Sequence, residues 1–283
     1  MVSELLEQGF SSVELGHGIR VSLLPGIREA ISAGCSISSV HNFCPLPVEI
    51  THASPDCFQF TSHREADRTR SLKLTYRTID LAHELGAQFV VLHLGSVPLR
   101  GAMKALEAEA MKSGTTSRAY IRKKIDLIRK REAIAPLYFE RALSALRHLA
   151  EYAGSRNIHL GIESRQSFEQ VPTETELLEI LDALNSPFVG YWHDFGHVQI
   201  REHLGLVNHA QWLHDVRHRL LGCHLHDVVW PMRDHQAPFR GRIDYDALIP
   251  QLPKDALLVW EMGPGRKAEE IQESVKKWKA RYA

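Results

Sequence analysis

Four short apolar runs in the second half of the chain each finish on a side chain that can ligate a metal ion. They are His159-Leu-Gly-Ile-Glu163, Val189-Gly-Tyr-Trp-His-Asp194, Leu220-Leu-Gly-Cys-His-Leu-His226 and Leu257-Leu-Val-Trp-Glu261. If these runs are parallel strands of one barrel, Glu163, Asp194, His226 and Glu261 converge at its C-terminal rim, where such folds keep their chemistry. Carboxylates gathered in a buried place repel one another, and each must be protonated, paired or bound to a cation. One strand-terminal glutamate is commonplace, but successive strands ending in Glu, Asp, His and Glu form a pattern that chance does not readily supply. The set predicts one divalent ion, with Mn²⁺ or Zn²⁺ favoured over Mg²⁺ or Co²⁺ by the mixture of carboxylate and imidazole.

Other residues extend the constellation. In Asp194-Phe-Gly-His197 the glycine allows a tight turn, so His197 is expected to face the same cavity as Asp194. His224 and His226 share one face of their strand; His224 is expected to point into the barrel below, and His226 to reach the rim. His41 and His93 also end strands, and Glu14 closes the first one. Together with His235, Trp230 and Arg240 on the loops, they are candidates for contact with a substrate. Arg165 and Arg233 are further basic groups near the rim.

These residues must be positioned by alternating strands and helices, the mark of a parallel sheet with crossover helices. Strands are predicted at 12–15, 36–43, 88–94, 159–163, 188–194, 220–226 and 256–261. Helices are predicted at 3–8, 25–33, 65–85, 136–154, 173–184, 207–219, 244–251 and 267–281. A helical excursion over about 102–131 follows the strand that ends near His93, and Pro136 should separate it from the next helix. Residues 112–131 carry eight basic side chains against one acid, Asp126, which reads as a solvated face. Residues 1–283 are thus read as one α/β domain, a (β/α)8-type barrel whose first strand is missing. That leaves an open seam, and exposed strand edges are usually covered. The terminal helix, or a second subunit in a homo-oligomer, is expected to cover it.

Composition narrows the partners. Lys+Arg and Asp+Glu are both 34, a balance that argues against a nucleic acid as the main ligand. The four cysteines form no CxxC pair and suit a reducing compartment. No apolar stretch has the length of a membrane span, and Met1-Val-Ser-Glu lacks the features of a signal peptide. A cytoplasmic location is expected.

The succession Val-Glu14-Leu, Val-His41, Leu-His93-Leu-Gly, Gly-Ile-Glu163-Ser, Asp194-Phe-Gly-His197, His224-Leu-His226-Asp227, Gly241-Arg-Ile-Asp244 and Trp-Glu261-Met resembles the xylose-isomerase-like TIM-barrel superfamily. That group holds sugar and sugar-phosphate isomerases and epimerases, and also endonuclease IV. The resemblance implies that Glu163, Asp194, His226 and Glu261 are the metal quartet and that His197 contacts substrate. It further implies an isomerase or epimerase of a small sugar, sugar phosphate or hydroxy-ketone working through an enediolate, with Glu163 and Glu261 transferring the proton. A keto-sugar or keto-inositol dehydratase shares that step. An endonuclease IV-like phosphodiesterase is disfavoured by charge neutrality and by the adjacent Asp234-His235, where many relatives have Asp-x-His. A non-catalytic sugar-binding barrel is the remaining alternative.

Overall fold

The computed structural model describes residues 2–282. Seven parallel strands form one sheet in chain order. They are β1 (Ser12–Leu15), β2 (Ser36–His41), β3 (Phe89–Leu92), β4 (His159–Glu163), β5 (Val189–Asp194), β6 (Leu220–Leu225) and β7 (Leu257–Trp260). The helices are α1 (Val2–Glu7), α2 (Leu24–Ser32), α3 (Glu65–Glu84), α4 (Ala102–Ser113), α5 (Arg118–Gly154), α6 (Glu174–Leu184), α7 (Phe195–His203), α8 (His209–Val216), α9 (Tyr245–Leu248) and α10 (Ala268–Tyr282). None is long and apolar enough to cross a membrane.

Two expectations about the helices need correcting. α5 runs without a break through Pro136, whose ring removes one helical N–H. The buried stripe Leu127, Arg131, Ala135, Tyr138 and Ala142 continues across it in steps of three and four, so packing outweighs the lost bond. Arg131 enters that stripe because Glu176 meets its two terminal nitrogens at 2.7 Å each. The second correction concerns Asp194-Phe-Gly-His197, which opens α7 instead of making a turn: the Asp194 side chain caps the helix by accepting the His197 N–H at 2.6 Å.

No strand among the described residues joins β1 to β7, in keeping with the expected gap. The terminal helix reaches this seam. Trp278 of α10 packs edge-on against Trp260 at 5.6 Å, and Trp260 meets Phe10 at 5.5 Å. A slot of about 290 Å³ remains, lined by Leu5, Phe10, Val13, His17 and Trp260 among others.

Alternation along β5 sends Trp192 and Asp194 into the barrel and Tyr191 and His193 outward. Trp192 is fully buried. It fills the interior beneath the rim, where Gly161 and Gly222 leave room for its ring: a Cβ at either would lie 2.8 Å or less from it. On the outer face, a one-way hydrogen-bond chain runs to α7 and α8. Trp212 Nε1 donates to Tyr191 Oη at 2.9 Å, and that hydroxyl meets His193 Nδ1 at 2.8 Å. His193 Nε2 meets His209 Nε2 at 2.9 Å, and His209 Nδ1 meets the Gln199 side-chain oxygen at 3.1 Å. One proton per ring satisfies every link, so both imidazoles are neutral. Burial lowers His193 to about 3, against a weaker pull from Asp194, and burial with the His193 neighbour puts His209 well below its ordinary value.

The unfolded rings take up protons near 6.5 while the folded ones do not. Their contribution to stability is therefore complete above that pH and lost as the pH falls toward His193's value. The slope approaches about 1.4 kcal/mol per pH unit for each ring. Replacing His193 and His209 together by glutamine should flatten the fall in urea midpoint between roughly pH 6.5 and 5. Equal slopes in wild type and variant would show that the buried rings are not neutral.

Candidate metal centre

The strands carry Glu163, Asp194 and His224 into the barrel mouth, and Glu261 follows β7 by one residue. Each offers one ligand atom, and these atoms all lie within 4.8 Å of one another. His224 Nδ1 stands 3.3 Å from Glu261 Oε2 and 3.7 Å from both Glu163 Oε1 and Asp194 Oδ2. It is buried without a hydrogen-bond partner. The opposite nitrogen, Nε2, faces Glu14 Oε1 at 3.0 Å, and Glu14 Oε2 accepts the Ser39 hydroxyl at 2.6 Å. A carboxylate behind the second ring nitrogen is how metal-ligating histidines are commonly oriented. An orphaned nitrogen aimed among three carboxylates fits a divalent ion.

The electrostatics carry the same demand. Burial disfavours the Glu163 carboxylate, but His93, His197, His224 and His41 outweigh it and hold the carboxyl well below the usual range. Asp194 is likewise held well below its ordinary value, with burial overcome by His197 and His226. For Glu261 burial is outweighed by His224 and His235. Conversely, burial opposes charge on His224, yet Glu14, Glu261 and Asp194 raise it well above 6.5. The carboxylates draw positive charge onto the surrounding imidazoles, the role a divalent ion would fill.

Two further clusters adjoin this one. Glu163 Oε2 meets His41 Nε2 at 3.0 Å and His93 Nε2 at 2.9 Å. His197, His226 and His235 form the other. His197 Nδ1 donates to the Ser164 carbonyl at 3.0 Å and lies 3.3 Å from Glu163 Oε1. Asp194 and Glu163 raise its pKa to about 9 against the opposing effect of burial.

His224, expected below the rim, is the imidazole that stands with the three carboxylates, while His226 lies in the neighbouring group and touches Asp194 at 3.0 Å. The reason is register. Strands in a closed sheet are staggered, and Asp194 pairs with His224 across the β5–β6 ladder, which sets His224, and not the strand-end His226, level with Asp194. Glu14, His41, His93 and His235 are brought to the site; His235 Nε2 is 3.6 Å from Glu261 Oε2. Trp230 and Arg240 make other contacts. Trp230 packs edge-on against His203 at 5.1 Å, and Arg240 pairs with Glu273 of α10.

Some contributors escape the sequence reading. Asp56 stands 3.4 Å from His93 Nδ1 and 3.0 Å from Arg165 Nη2. Burial is outweighed there by Arg165 and His93, which keep its carboxyl low. It sits in the long irregular segment after β2, where no periodicity marks it. Ser164 directly follows Glu163 in the sequence; its hydroxyl accepts the Asp194 N–H at 2.8 Å.

A seven-stranded parallel barrel with a carboxylate–imidazole cluster at the C-terminal mouth defines the class. The chain belongs to the xylose isomerase-like TIM barrel family, whose model matches residues 2–281. A curated relative, protein y4fM of Sinorhizobium fredii, is 26% identical over 229 residues, or 78% of this chain; the match spans 63% of that relative's length. Among solved structures, a D-tagatose 3-epimerase-like protein has a TM-score of 0.71 at 18% identity, covering 98% of this chain and 91% of its own. The 3-keto-D-glucoside 4-epimerase YcjR of E. coli has a TM-score of 0.69 at 18% identity, covering 99% and 92%. The IOLI protein with a bound zinc atom has a TM-score of 0.68 at 14% identity, covering 98% and 90%. At these identities the likeness is one of fold.

The neighbouring carboxylates raise the His224 pKa, so an ion taken up among these four residues would displace a proton from its ring. Affinity for Mn²⁺ or Zn²⁺ should therefore rise with pH across roughly pH 6 to 8. A flat profile by chelator competition would show that no proton leaves His224 on binding.

Proposed function

We propose that the protein is a divalent-metal-dependent isomerase or epimerase of a small sugar, sugar phosphate or hydroxy-ketone. The observation that carries this reading is the orphaned His224 Nδ1 among Glu163, Asp194 and Glu261, in a chain of this family. Those four residues would hold the ion, with Mn²⁺ or Zn²⁺ the better match to three carboxylates and one imidazole. When bound, it supplies Lewis acidity beside the substrate carbonyl.

The remaining work falls to the protein's own groups. Glu163 and Glu261 come from β4 and the end of β7 and flank the mouth. One takes the proton alpha to the carbonyl and the other returns it, at the neighbouring carbon or on the opposite face. Positioned acid–base groups of this kind contribute about 10²–10⁴-fold. His197 keeps Nδ1 on the Ser164 carbonyl, which leaves Nε2 to donate a hydrogen bond to the developing oxyanion. A D-tagatose 3-epimerase-like protein and a 3-keto-D-glucoside 4-epimerase among the fold neighbours support a small carbohydrate as substrate.

One observation favours a second reading. The clusters His41–His93–Glu163 and His197–His226–His235 adjoin the first, and several ions in such an arrangement would suit phosphodiester hydrolysis. Stoichiometry separates the two: one ion per chain is expected, and three would replace the isomerase with the hydrolase.

The direct test is a screen of keto-sugars in deuterated water with added Mn²⁺, reading deuterium at carbons alpha to the carbonyl. Exchange is expected in the wild type. Glu163→Gln should abolish it while leaving the circular dichroism spectrum unchanged, and undiminished exchange in that variant would end Glu163's role.

A further inference from the structure

The geometry points to His226 as a positioning residue that orients the Asp194 carboxylate and ties the short Arg233–Gln236 strand to it, instead of binding an ion itself. This rests on the metal reading of Glu163, Asp194, His224 and Glu261 given above. The first step is the hydrogen bond from the His235 backbone N–H to His226 Nδ1, at 2.9 Å. A backbone N–H can only donate, so Nδ1 is the acceptor and the ring carries its proton on Nε2. Nε2 lies between both Asp194 oxygens, 3.0 Å from Oδ1 and 3.1 Å from Oδ2, and donates there. With both nitrogens engaged, His226 has no lone pair left for a cation. The His197–His226–His235 cluster is therefore short of a ligand.

The local packing is built around this ring. His226 is fully buried, and the His235 imidazole stacks on it with centroids 4.3 Å apart and planes at 5°. Beneath it, a Cβ on Gly196 would come within 1.9 Å of His226 Cε1 and 2.4 Å of Nδ1. Gly196 lies in the first turn of α7, where alanine would ordinarily be the better helix former. The glycine is explained by the space the imidazole needs. Asp194 is thus gripped from two sides, by the His197 N–H on the helix side and by His226 on the other. Groups behind a ligating carboxylate fix the direction of its lone pairs, and losing them typically lowers metal affinity about 10–100-fold.

The test measures Mn²⁺ and Zn²⁺ affinity and stoichiometry by chelator competition on the purified full chain. His226→Ala should weaken binding by about 10–100-fold without changing the number of ions held. His226→Gln, whose amide N–H can still reach Asp194, should recover most of the affinity. Gly196→Ala should displace the ring and weaken binding as His226→Ala does, and the double variant should be no weaker than either single one. Unchanged affinity in His226→Ala would overturn the assignment, as would loss of one ion from a set with the others unaffected, which would make His226 a ligand. A wild type that takes up neither ion would overturn the metal reading itself, a result distinct from both.

Discussion

Three carboxylates brought within a few ångströms of one buried imidazole nitrogen set the terms for everything around them. In water such groups repel weakly; in a dry barrel mouth the cost of leaving them uncompensated is several kcal/mol per ion. The molecule answers by surrounding them with imidazoles. His41 and His93 lean on Glu163, His197 and His226 on Asp194, and His235 on Glu261. Imidazoles gather at the mouth because donors there must balance buried acids residue by residue.

The rest of the architecture holds that balance in place. Trp192 closes the barrel below, its ring edge-on to His224 at 5.5 Å, so the imidazole cannot sink away from the carboxylates. Glu14 and Ser39 fix it from β1 and β2. Asp194 serves two structures at once, as the cap of α7 and as a member of the cluster. Helix capping and ligand presentation are often treated as rival explanations for a strand-terminal aspartate, but here the two oxygens allow both.

Much of this could be read before any fold was known. The alternation of strands and helices, the strand-end acids at Glu163, Asp194 and Glu261, and the gap before β1 all follow from period and spacing. The errors have physical causes. Stagger between neighbouring strands decides that His224, and not His226, stands level with Asp194, and stagger is a property of pairing that a single strand does not display. Pro136 reads as a helix break because local propensity is local, whereas α5 is held by a stripe running well beyond it on both sides. Asp56 lies in a segment without periodicity, so only the folded path of the chain brings it behind His93.

The seam between β1 and β7 has a mechanical meaning. The two edge strands share no backbone ladder, yet Glu14 on β1 and Glu261 beyond β7 both bear on His224. The wall is a cylinder slit along its length and buttoned at the top, with an open slot along the seam that Glu14 and Glu261 themselves line. An ion held by the cluster would also fasten the barrel, so ligand chemistry and the stiffness of the mouth would act through the same few side chains.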